Sequence, residues 1–315
     1  MFQSIASFYQ TINICNTILK FAPTAQANDP TFSEAQLKEY EGQAIAIRSL
    51  MYFYLVRTFG DVPFIREAYV NGSQQMSVAK SSEKEILAGL VADLEMVETG
   101  NYLPGQYSST DIAQNKGRMT MWAVKALLAD IYLWQEEYEK CNRKCDEIIG
   151  SGQLLLVPVE SRKIEVENTE EGTTDIYYAP DQSSYYSLFQ QIYYQGNSME
   201  SIFELQFATD NLNPFYSLMS SGRGVIGVKT ERVNSDIFPP LADEAYSGEC
   251  FDIRSVISQS KSCLWKYIGV EPNGSERAQE EYTNNFIIYR LAEIYLMKAE
   301  ALTQMAILDS DNQEL

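Results

Sequence analysis

The segment that decides the fold is Arg57-Thr58-Phe59-Gly60-Asp61-Val62-Pro63, where a long apolar helix is predicted to stop. A glycine just past the last helical turn can adopt the left-handed conformation that closes a helix. Proline cannot continue a helix, because it has no backbone N–H to donate. Gly60 and Pro63 therefore predict an abrupt end to this helix, with a loop directly behind it.

The helix that leads into this segment is predicted to be buried. Residues 41–56 carry Ala, Ile, Leu, Met, Phe, Tyr and Val on almost every face of the helix. A helix that is apolar all round packs inside a protein, whereas a surface helix keeps one polar face. We therefore expect other helices to surround this one.

Neighbouring helices can also be placed from the sequence. Residues 2–21 carry apolar side chains at helical spacing, and Pro23 and Pro30 are predicted to bound the loop that follows. Ser33 is predicted to cap the long apolar helix, which then forms an antiparallel hairpin with the first one. Ser82 and Glu85 have the spacing of a capping box at the start of a helix running to about residue 97.

A tetratricopeptide pattern follows in the third helical region. Its characteristic Leu-Gly/Ala-x-x-Tyr positions, and the small or aromatic positions nine and thirteen residues after that tyrosine, are occupied in chain order by Leu128, Ala129, Tyr132, Cys141 and Cys145. Glu136-Glu137 replaces the glycine of the repeat turn. Leu291, Ala292 and Tyr295 repeat the first three positions near the end of the chain.

These passages together resemble the SusD/RagB family. The buried helix running into Phe-Gly-Asp-Val-Pro matches the first repeat of that family, residues 116–133 match its second repeat helix, and residues 286–302 match a late one. Weaker similarities lie at residues 200–207, 252–254 and 266–267, in the order that the family shows. The resemblance spans nearly the whole chain.

The resemblance implies a mainly α fold, a tetratricopeptide-like superhelix of helical hairpins with an irregular, loop-rich region that contains short strands. We expect three parts: a tetratricopeptide-like helical region at 1–151, an aromatic-rich region of loops and short strands at 152–282, and the start of a further helical repeat, cut short, at 283–315. The middle part is punctuated by Gly and Pro and has β-leaning composition, as in Tyr177-Tyr178-Ala179-Pro180.

Composition excludes several classes of function. The chain has 315 residues, a net charge of −19 and no histidine. So acidic a protein repels a phosphate backbone, which makes nucleic acid an unlikely partner. The absence of histidine excludes Ser-His, Cys-His and zinc-histidine chemistry. The five cysteines are odd in number and lack the spacing of a metal site, so no metal, cofactor or disulfide framework is predicted.

Membrane association cannot be read from the sequence itself. No stretch approaches the roughly 20 apolar residues that span a bilayer, and the first residues lack the charged region of a signal peptide. Members of the SusD/RagB family usually begin with an acylated lipoprotein segment and continue past the late helix. Compared with that pattern, we expect this chain to lack both ends. An outer-membrane, cell-surface location is inferred from the family alone.

Several candidate functional sites are better explained by a structural role. Cys141 and Cys145 lie on one helix face and could bind a soft metal, although packing between repeat helices explains them better. Adjacent carboxylates such as Glu170-Glu171 are typical of solvated turns, and a glycosidase would assemble its pair from separate segments. Arg57 with Asp61, and Asp252 with Arg254, could contact a polar ligand, but a role in the scaffold is favoured.

The strongest remaining indication of a binding site is aromatic. Sugar rings pack their C–H faces on aromatic side chains, while their hydroxyls bind amides, arginine and backbone groups. The segment Asn211-Leu212-Asn213-Pro214-Phe215-Tyr216 is predicted to be an exposed loop. The predicted glycan-binding residues are Tyr185, Tyr186, Phe215, Tyr216 and Arg223.

The leading hypothesis is therefore a non-catalytic glycan-binding protein. The resemblance implies that it captures oligosaccharide or polysaccharide at the cell surface and delivers it to a SusC-like TonB-dependent transporter of the outer membrane. One alternative is a tetratricopeptide-like adaptor that binds a protein, which explains the helices but leaves the aromatic region unexplained. Another is a carbohydrate-active hydrolase, which would turn a glycan over as well as bind it.

Overall fold

A computed structural model of the chain describes residues 5–72, 77–168, 172–180, 187–220, 226–227, 259–260, 263–269, 271 and 275–313. The chain divides into two compact units. The first comprises Met1–Leu154 with Tyr289–Leu315, and the second comprises Leu155–Ile288. The boundaries 1–151, 152–282 and 283–315 remain predictions.

The first unit is helical. Its helices are α1 (Ile5–Asn28), α2 (Glu34–Phe59), α3 (Glu83–Thr99), α4 (Ile112–Gly117), α5 (Met121–Trp134), α6 (Tyr138–Gly150) and α9 (Leu291–Gln313). Helix α1 pairs with α2, α5 pairs with α6, and α9 packs chiefly on α6. Helix α3 lies against both α2 and α5. The predicted helical hairpins are thus confirmed.

Helix α2 begins and ends as its sequence predicts. At its start, the Ser33 hydroxyl accepts from the Gln36 N–H at 3.2 Å, and the Gln36 side chain accepts from the Ser33 N–H at 2.9 Å, a complete capping box. At its end, Gly60 has φ 65° and donates its N–H to the Val56 carbonyl at 2.8 Å. The left-handed conformation favours glycine there, so Gly60 closes the helix.

The end of α2 and the segment after it connect α2 with α3 and α5 through side-chain contacts. Arg57 pairs with Asp130 of α5 at 3.2 Å. Asp61 accepts from the N–H of Glu83, the first residue of α3, at 2.9 Å. These contacts support the scaffold role for Arg57 and Asp61, whereas Asp252 and Arg254 lie outside the described residues.

Helix α1 corrects one expectation, because it continues through Pro23 to Asn28 where a loop was predicted. Pro23 cannot donate the usual hydrogen bond, which frees one helix carbonyl. This end of α1 is exposed, so water can satisfy that carbonyl. The loop is correspondingly short, since Ser33 already caps α2.

The α5–α6 hairpin has the tetratricopeptide arrangement. Ala129, Tyr132, Cys141 and Cys145 are all buried. Glu136, where the repeat usually has glycine, adopts φ 61° and so supplies the turn that glycine would make. Because both thiols of α6 are buried, helix packing is the role that the structure gives them.

The second unit is built from short strands and turns. Strands β1 (Ser161–Asn168) and β2 (Thr173–Pro180) form an antiparallel ladder running from Ser161 opposite Pro180 to Asn168 opposite Thr173. The remaining strands are β3 (Ser201–Leu205), β4 (Gln259–Ser260), β5 (Cys263–Leu264) and β6 (Phe286–Arg290), and the last two residues of β6 belong to the first unit. Strand β3 pairs with β6, and β4 pairs with β5. The short helices are α7 (Tyr216–Met219) and α8 (Trp265–Ile268), and Gln190–Gln195 forms a π-helical turn.

A buried carboxylate organises the turn before β3. Glu204 accepts from the Asn197 N–H at 2.9 Å, from Asn285 Nδ2 at 2.8 Å and from the Ser201 hydroxyl. Gly196 has φ 70°, and a Cβ added there would lie 2.7 Å from Asn285 Nδ2. Glycine therefore lets the backbone approach this carboxylate closely.

No described helix is both long and apolar enough to cross a membrane.

Candidate functional site

The predicted aromatic residues that the structure describes lie in a stack of rings in the second unit. The Phe215 ring lies 4.5 Å from that of Phe286 at an interplanar angle of 10°, and 6.2 Å from that of Tyr267. Tyr216 meets Tyr282 edge-on at 5.1 Å. Both predicted residues are half-buried and help to hold this unit together.

The expectation of an exposed loop at 211–216 holds only in part. Asn211, Leu212 and Pro214 are exposed, but Asn213 is buried. The Asn213 side chain donates to the Asn284 carbonyl at 2.8 Å and accepts from the Phe215 N–H at 2.9 Å. These bonds hold the segment against the rest of the unit, which places the Phe215 ring within the stack.

Tyr185, Tyr186 and Arg223 lie outside the described residues. The glycan-binding role of all five predicted residues remains a prediction.

A wide cleft in the first unit was not foreseen. It has a volume of about 700 Å³ and lies directly behind the Gly60–Pro63 break. We call it the Arg66 cleft, and its lining residues are Phe64, Ile65, Arg66, Glu67, Tyr69, Val78, Ser81 and Glu85. Ligand pockets typically have volumes in this range. The cleft therefore has room for a small-molecule or oligosaccharide segment.

Side chains of α1 hold the backbone of this cleft in place. Asn16 Nδ2 donates to the carbonyls of Ile65 and Glu67, at 3.1 and 3.2 Å. Asn13 donates to the Tyr69 carbonyl at 3.1 Å and accepts from the Tyr69 N–H at 2.7 Å. Two asparagines thus satisfy four backbone groups of an irregular segment, which leaves that segment preorganised.

Two tyrosines, the half-buried Tyr9 and the buried Tyr52, complete this support. The Tyr9 hydroxyl donates to the Pro63 carbonyl at 2.8 Å. The Tyr52 hydroxyl donates to the Ile65 carbonyl at 2.9 Å and accepts from the Ile65 N–H at 2.7 Å. Burial raises the pKa of Tyr9 to about 12 and raises that of Tyr52 as well. Both hydroxyls therefore stay protonated, and donate, throughout the physiological pH range.

A charge network fixes the arginine of the cleft. Arg66 pairs with Asp93 of α3, which also receives Arg48 Nη2 at 2.7 Å. Arg48 and Asp93 are buried, while the Arg66 side chain is 44% exposed. Arg48 in turn donates to Asn16 Oδ1 at 2.8 Å, so the charge network and the backbone support meet. Arg66 thus presents a fixed cation at the surface.

The chemistry of the cleft suits a hydroxyl-rich ligand. Arg66, Glu67 and Glu85 can donate to or accept from hydroxyl groups. The Arg66 guanidinium lies over the Phe64 ring, 5.5 Å from its centroid, and Tyr69 adds a second aromatic ring to the lining. Among the described residues, no group of His, Cys, Asp or Glu is arranged to hold a metal ion. The arrangement is one for binding a polar ligand with apolar faces.

Sequence reasoning missed this cleft because its support is long-range. Asn13 and Tyr69 are 56 positions apart in the chain. One indication was available, since buried polar residues such as Asn16 must find hydrogen-bond partners. Its partners, however, follow only from the packing of α1 on α2.

Two family models match the chain. One, a SusD-like family described as starch-binding and associating with the outer membrane, matches residues 3–133. The other, the SusD family, matches residues 258–310.

Curated relatives cover most of the chain at low identity. SusD-like protein P25 of Formosa agariphila is 23% identical over 94% of this chain and 57% of that protein. SusD-like protein P2 of the same organism is 24% identical over 87% of this chain and 54% of that protein. The chain therefore spans somewhat more than half the length of each of these two relatives.

Solved structures show the same fold. A SusD-like protein from Bacteroides fragilis aligns with a TM-score of 0.67 at 19% identity, covering 95% of this chain and 63% of that one. Surface glycan-binding protein A from Bacteroides thetaiotaomicron, solved in complex with laminarihexaose, aligns with a TM-score of 0.62 at 21% identity, covering 94% of this chain and 63% of that one. These likenesses confirm the mainly helical, tetratricopeptide-like fold.

Two family models match separate parts of the chain in order, and the relatives agree with them. Together with the helical hairpins, these matches support the SusD/RagB family as the one that this chain resembles.

Proposed function

We propose that this chain binds oligosaccharide or polysaccharide without chemical turnover. The resemblance to the SusD/RagB family supports this, as does the description of the matching family model as starch-binding. The laminarihexaose complex of a structural neighbour supports it further. The single observation that carries the proposal is the Arg66 cleft, whose rim is held in place by Asn13, Asn16, Tyr9 and Tyr52. Such preorganisation lowers the entropic cost of binding.

The cell-surface setting is also part of the proposal. The matching family model is described as associating with the outer membrane. We infer that this chain acts at the outer membrane, facing outward, and passes its glycan to a SusC-like TonB-dependent transporter. A lipid anchor would be its attachment to the membrane.

The alternatives are weaker on the same observations. A tetratricopeptide-like adaptor explains the helical hairpins, but it gives no role to a rigid cleft lined by arginine, carboxylates and aromatic rings. A hydrolase would need two carboxylates set about 5 to 9.5 Å apart across a glycosidic bond. Our proposal is of binding alone, so turnover of the bound glycan by the purified chain would contradict it.

The test is a glycan array on the purified chain, followed by calorimetry with the selected glycan. Arg66→Ala should weaken binding at least about tenfold, because it removes the fixed cation of the cleft. Arg57→Ala is the matched control, since its side chain is 42% exposed and also pairs with an aspartate, but lies outside the cleft. Equal binding by both variants would rule out the Arg66 cleft as the site.

The predicted aromatic residues are tested with separate variants in the same binding experiment. Because Phe215 belongs to the ring stack, Phe215→Ala would also loosen the second unit. Tyr216→Phe keeps the ring and removes only the hydroxyl, so lost binding with unchanged stability would support the aromatic site. If the parent chain bound no glycan and instead bound a protein partner, the adaptor would replace the present proposal.

A further inference from the structure

A second cleft lies at the opposite end of α2 from the Arg66 cleft. It has a volume of about 500 Å³ and lies among the start of α2, the loop after α3 and the start of α5. We call it the Trp122 cleft, and its characteristic residues are Glu39, Asn101, Tyr102, Gly105 and Trp122. Nothing in the family matches or relatives assigns a role to it.

Trp122 is set in this cleft with its indole edge against a glycine. A Cβ added at Gly105 would lie 3.1 Å from Trp122 Nε1. A larger residue there would press on the indole edge. The half-buried Trp122 lines the cleft, and Lys125 Nζ lies over its ring, 5.5 Å from the centroid.

Tyr102 is held on the adjoining wall by two further close approaches. A Cβ at Gly42 would lie 2.9 Å from the Tyr102 Cβ, and one at Gly100 would lie 2.6 Å from the Tyr102 ring. The missing Cβ atoms of these glycines leave room for Tyr102 to lie close to the backbone at both positions. Both aromatic side chains of the cleft are therefore closely packed against glycines.

The polar side of the cleft is held by side-chain contacts. Glu39 pairs with Arg118, whose guanidinium lies 3.9 Å from the centre of the Tyr107 ring. The Tyr107 hydroxyl donates to the Met119 carbonyl at 2.8 Å. The Glu39 side chain remains 31% exposed, so its carboxylate can accept from a ligand. Asn101 lines the same cleft and is exposed, with φ 50°.

This combination favours a neutral sugar ring over other ligands. Flat apolar rings beside a carboxylate and an amide match the C–H faces and hydroxyls of a pyranose. A cationic ligand would be repelled by Arg118, which pairs with Glu39, and by Lys38, whose Nζ lies 5.9 Å from the centre of the Tyr102 ring. Phosphate-rich ligands are disfavoured by the net charge of −19.

We propose that the Trp122 cleft is a second carbohydrate-binding site, which takes a neutral hexose unit of the same polymer. The inference rests on the proposed glycan-binding function and deepens it. From Glu39 to the end of α2 at Phe59 is 20 residues, or about 30 Å of helix. A polysaccharide that reaches both clefts binds bivalently and gains avidity, whereas a short oligosaccharide fills each cleft separately.

The experiment compares oligosaccharides with their polymers on the full chain. The probes are laminarihexaose and maltohexaose, with laminarin and starch, measured by calorimetry and affinity electrophoresis. Trp122→Ala should lower the oligosaccharide stoichiometry from two to one and weaken polymer binding at least about tenfold. Trp122→Phe, which keeps a flat ring, should restore most of the loss.

Tyr40→Ala is the matched control. Tyr40 is an exposed aromatic residue of α2 that packs on Phe32 and lies outside both clefts. It should leave stoichiometry and avidity unchanged. Glu39→Ala provides a second variant of the cleft in case Trp122→Ala fails to fold, and it should reproduce the loss of the second site.

The outcomes separate the two proposals. A stoichiometry of one in the parent chain, with Trp122→Ala and Glu39→Ala binding polymer as the parent does, would overturn the second site alone. Arg66→Ala would still lose binding in that case. If the parent chain bound none of the four probes and no glycan on the array, both the glycan-binding function and the second site would be overturned.

Discussion

The two units of this protein each bury a carboxylate, and they stabilise it by different means. In the helical unit, Asp93 is held by Arg48 at 2.7 Å and by the partly exposed Arg66. In the second unit, Glu204 is fully buried, and the bonds described to it come from a backbone N–H, an asparagine amide and a serine hydroxyl. One carboxylate is matched by opposite charge, the other by neutral donors.

The difference shows which interactions hold each unit together. An ion pair between helices joins α2 to α3 and extends through Arg66 to the cleft surface. A cluster of neutral donors gathers a tight turn around one point and needs no neighbouring helix. Removing one partner of a buried ion pair leaves an unpaired charge, which costs more than losing one neutral hydrogen bond. The helical unit should therefore be the more sensitive to single substitutions in its network.

The largest effect is expected for Arg48→Met. It leaves Asp93 buried with only the partly exposed Arg66, and it removes the bond to Asn16. We expect a loss of about 3 to 5 kcal/mol in the free energy of unfolding, measured by urea denaturation with circular dichroism. Lys140→Ala, in an exposed pair with Glu137, is the control and should cost below about 1 kcal/mol. Equal costs would remove the distinction between buried and exposed pairs.

Glu204→Gln should have a smaller effect. The amide keeps one acceptor oxygen, so its NH2 group faces either the two donors from Asn197 and Asn285 or the Ser201 hydroxyl. We expect a cost of about 2 kcal/mol, seen as faster hydrogen exchange in residues 196–207. Glu280→Gln, on an exposed turn, should leave that exchange unchanged. A loss as large as that of Arg48→Met would contradict the comparison.

Tyr9→Phe tests a neutral donor within the helical unit. It removes one hydrogen bond, to the Pro63 carbonyl, and keeps the ring. The expected cost is about 1 kcal/mol by urea denaturation. Glycan affinity should fall slightly, because the rim of the Arg66 cleft loses one of its supports. Unchanged stability together with unchanged affinity would show that this bond does not fix the rim.

The smallest effect concerns pH. Burial raises the pKa of Tyr9 from 10.0 to about 12, so the native protein holds this proton more tightly than the unfolded chain does. Its contribution to stability is therefore fully present below pH 10 and is lost as the pH rises toward 12. Thermal unfolding between pH 9 and 12 should show a shallower decline in Tyr9→Phe than in the parent. A steeper decline in the variant would reverse this assignment.

Local features of the fold could be predicted from the sequence. The Ser33 cap, the Gly60 stop and the buried α2 depend on neighbouring residues, and the structure confirms each of them. The tetratricopeptide positions on α5 and α6 were likewise placed correctly, because their spacing along the chain sets their packing.

Short-range rules failed at Pro23, where an exposed helix end tolerates the missing bond. They held only in part at Ser82, which accepts from the Glu85 N–H without completing the predicted capping box. They also held only in part at 211–216, where Asn213 is buried.

The sites depend on contacts that spacing does not encode. The Arg66 cleft requires Asn13 and Asn16 to meet a segment about 50 residues later. The burial of Phe215 depends on Phe286, which is 71 positions away in the chain. The same Gly/Pro-rich composition surrounds an aromatic residue whether its ring is exposed or stacked on another ring. The sequence pattern alone therefore could not decide between an exposed and a stacked Phe215.

The buried thiols of this protein can report when the helices around them open. Cys15 on α1 and the pair Cys141 and Cys145 on α6 are all buried, and burial raises the pKa of Cys15 to about 11. Such a thiol reacts with an alkylating reagent only when its helix opens. With Cys250 and Cys263 replaced by serine, labelling rates would time the opening of the first helical hairpin separately from that of the repeat hairpin. The order in which these helices open could then be followed with or without a bound glycan.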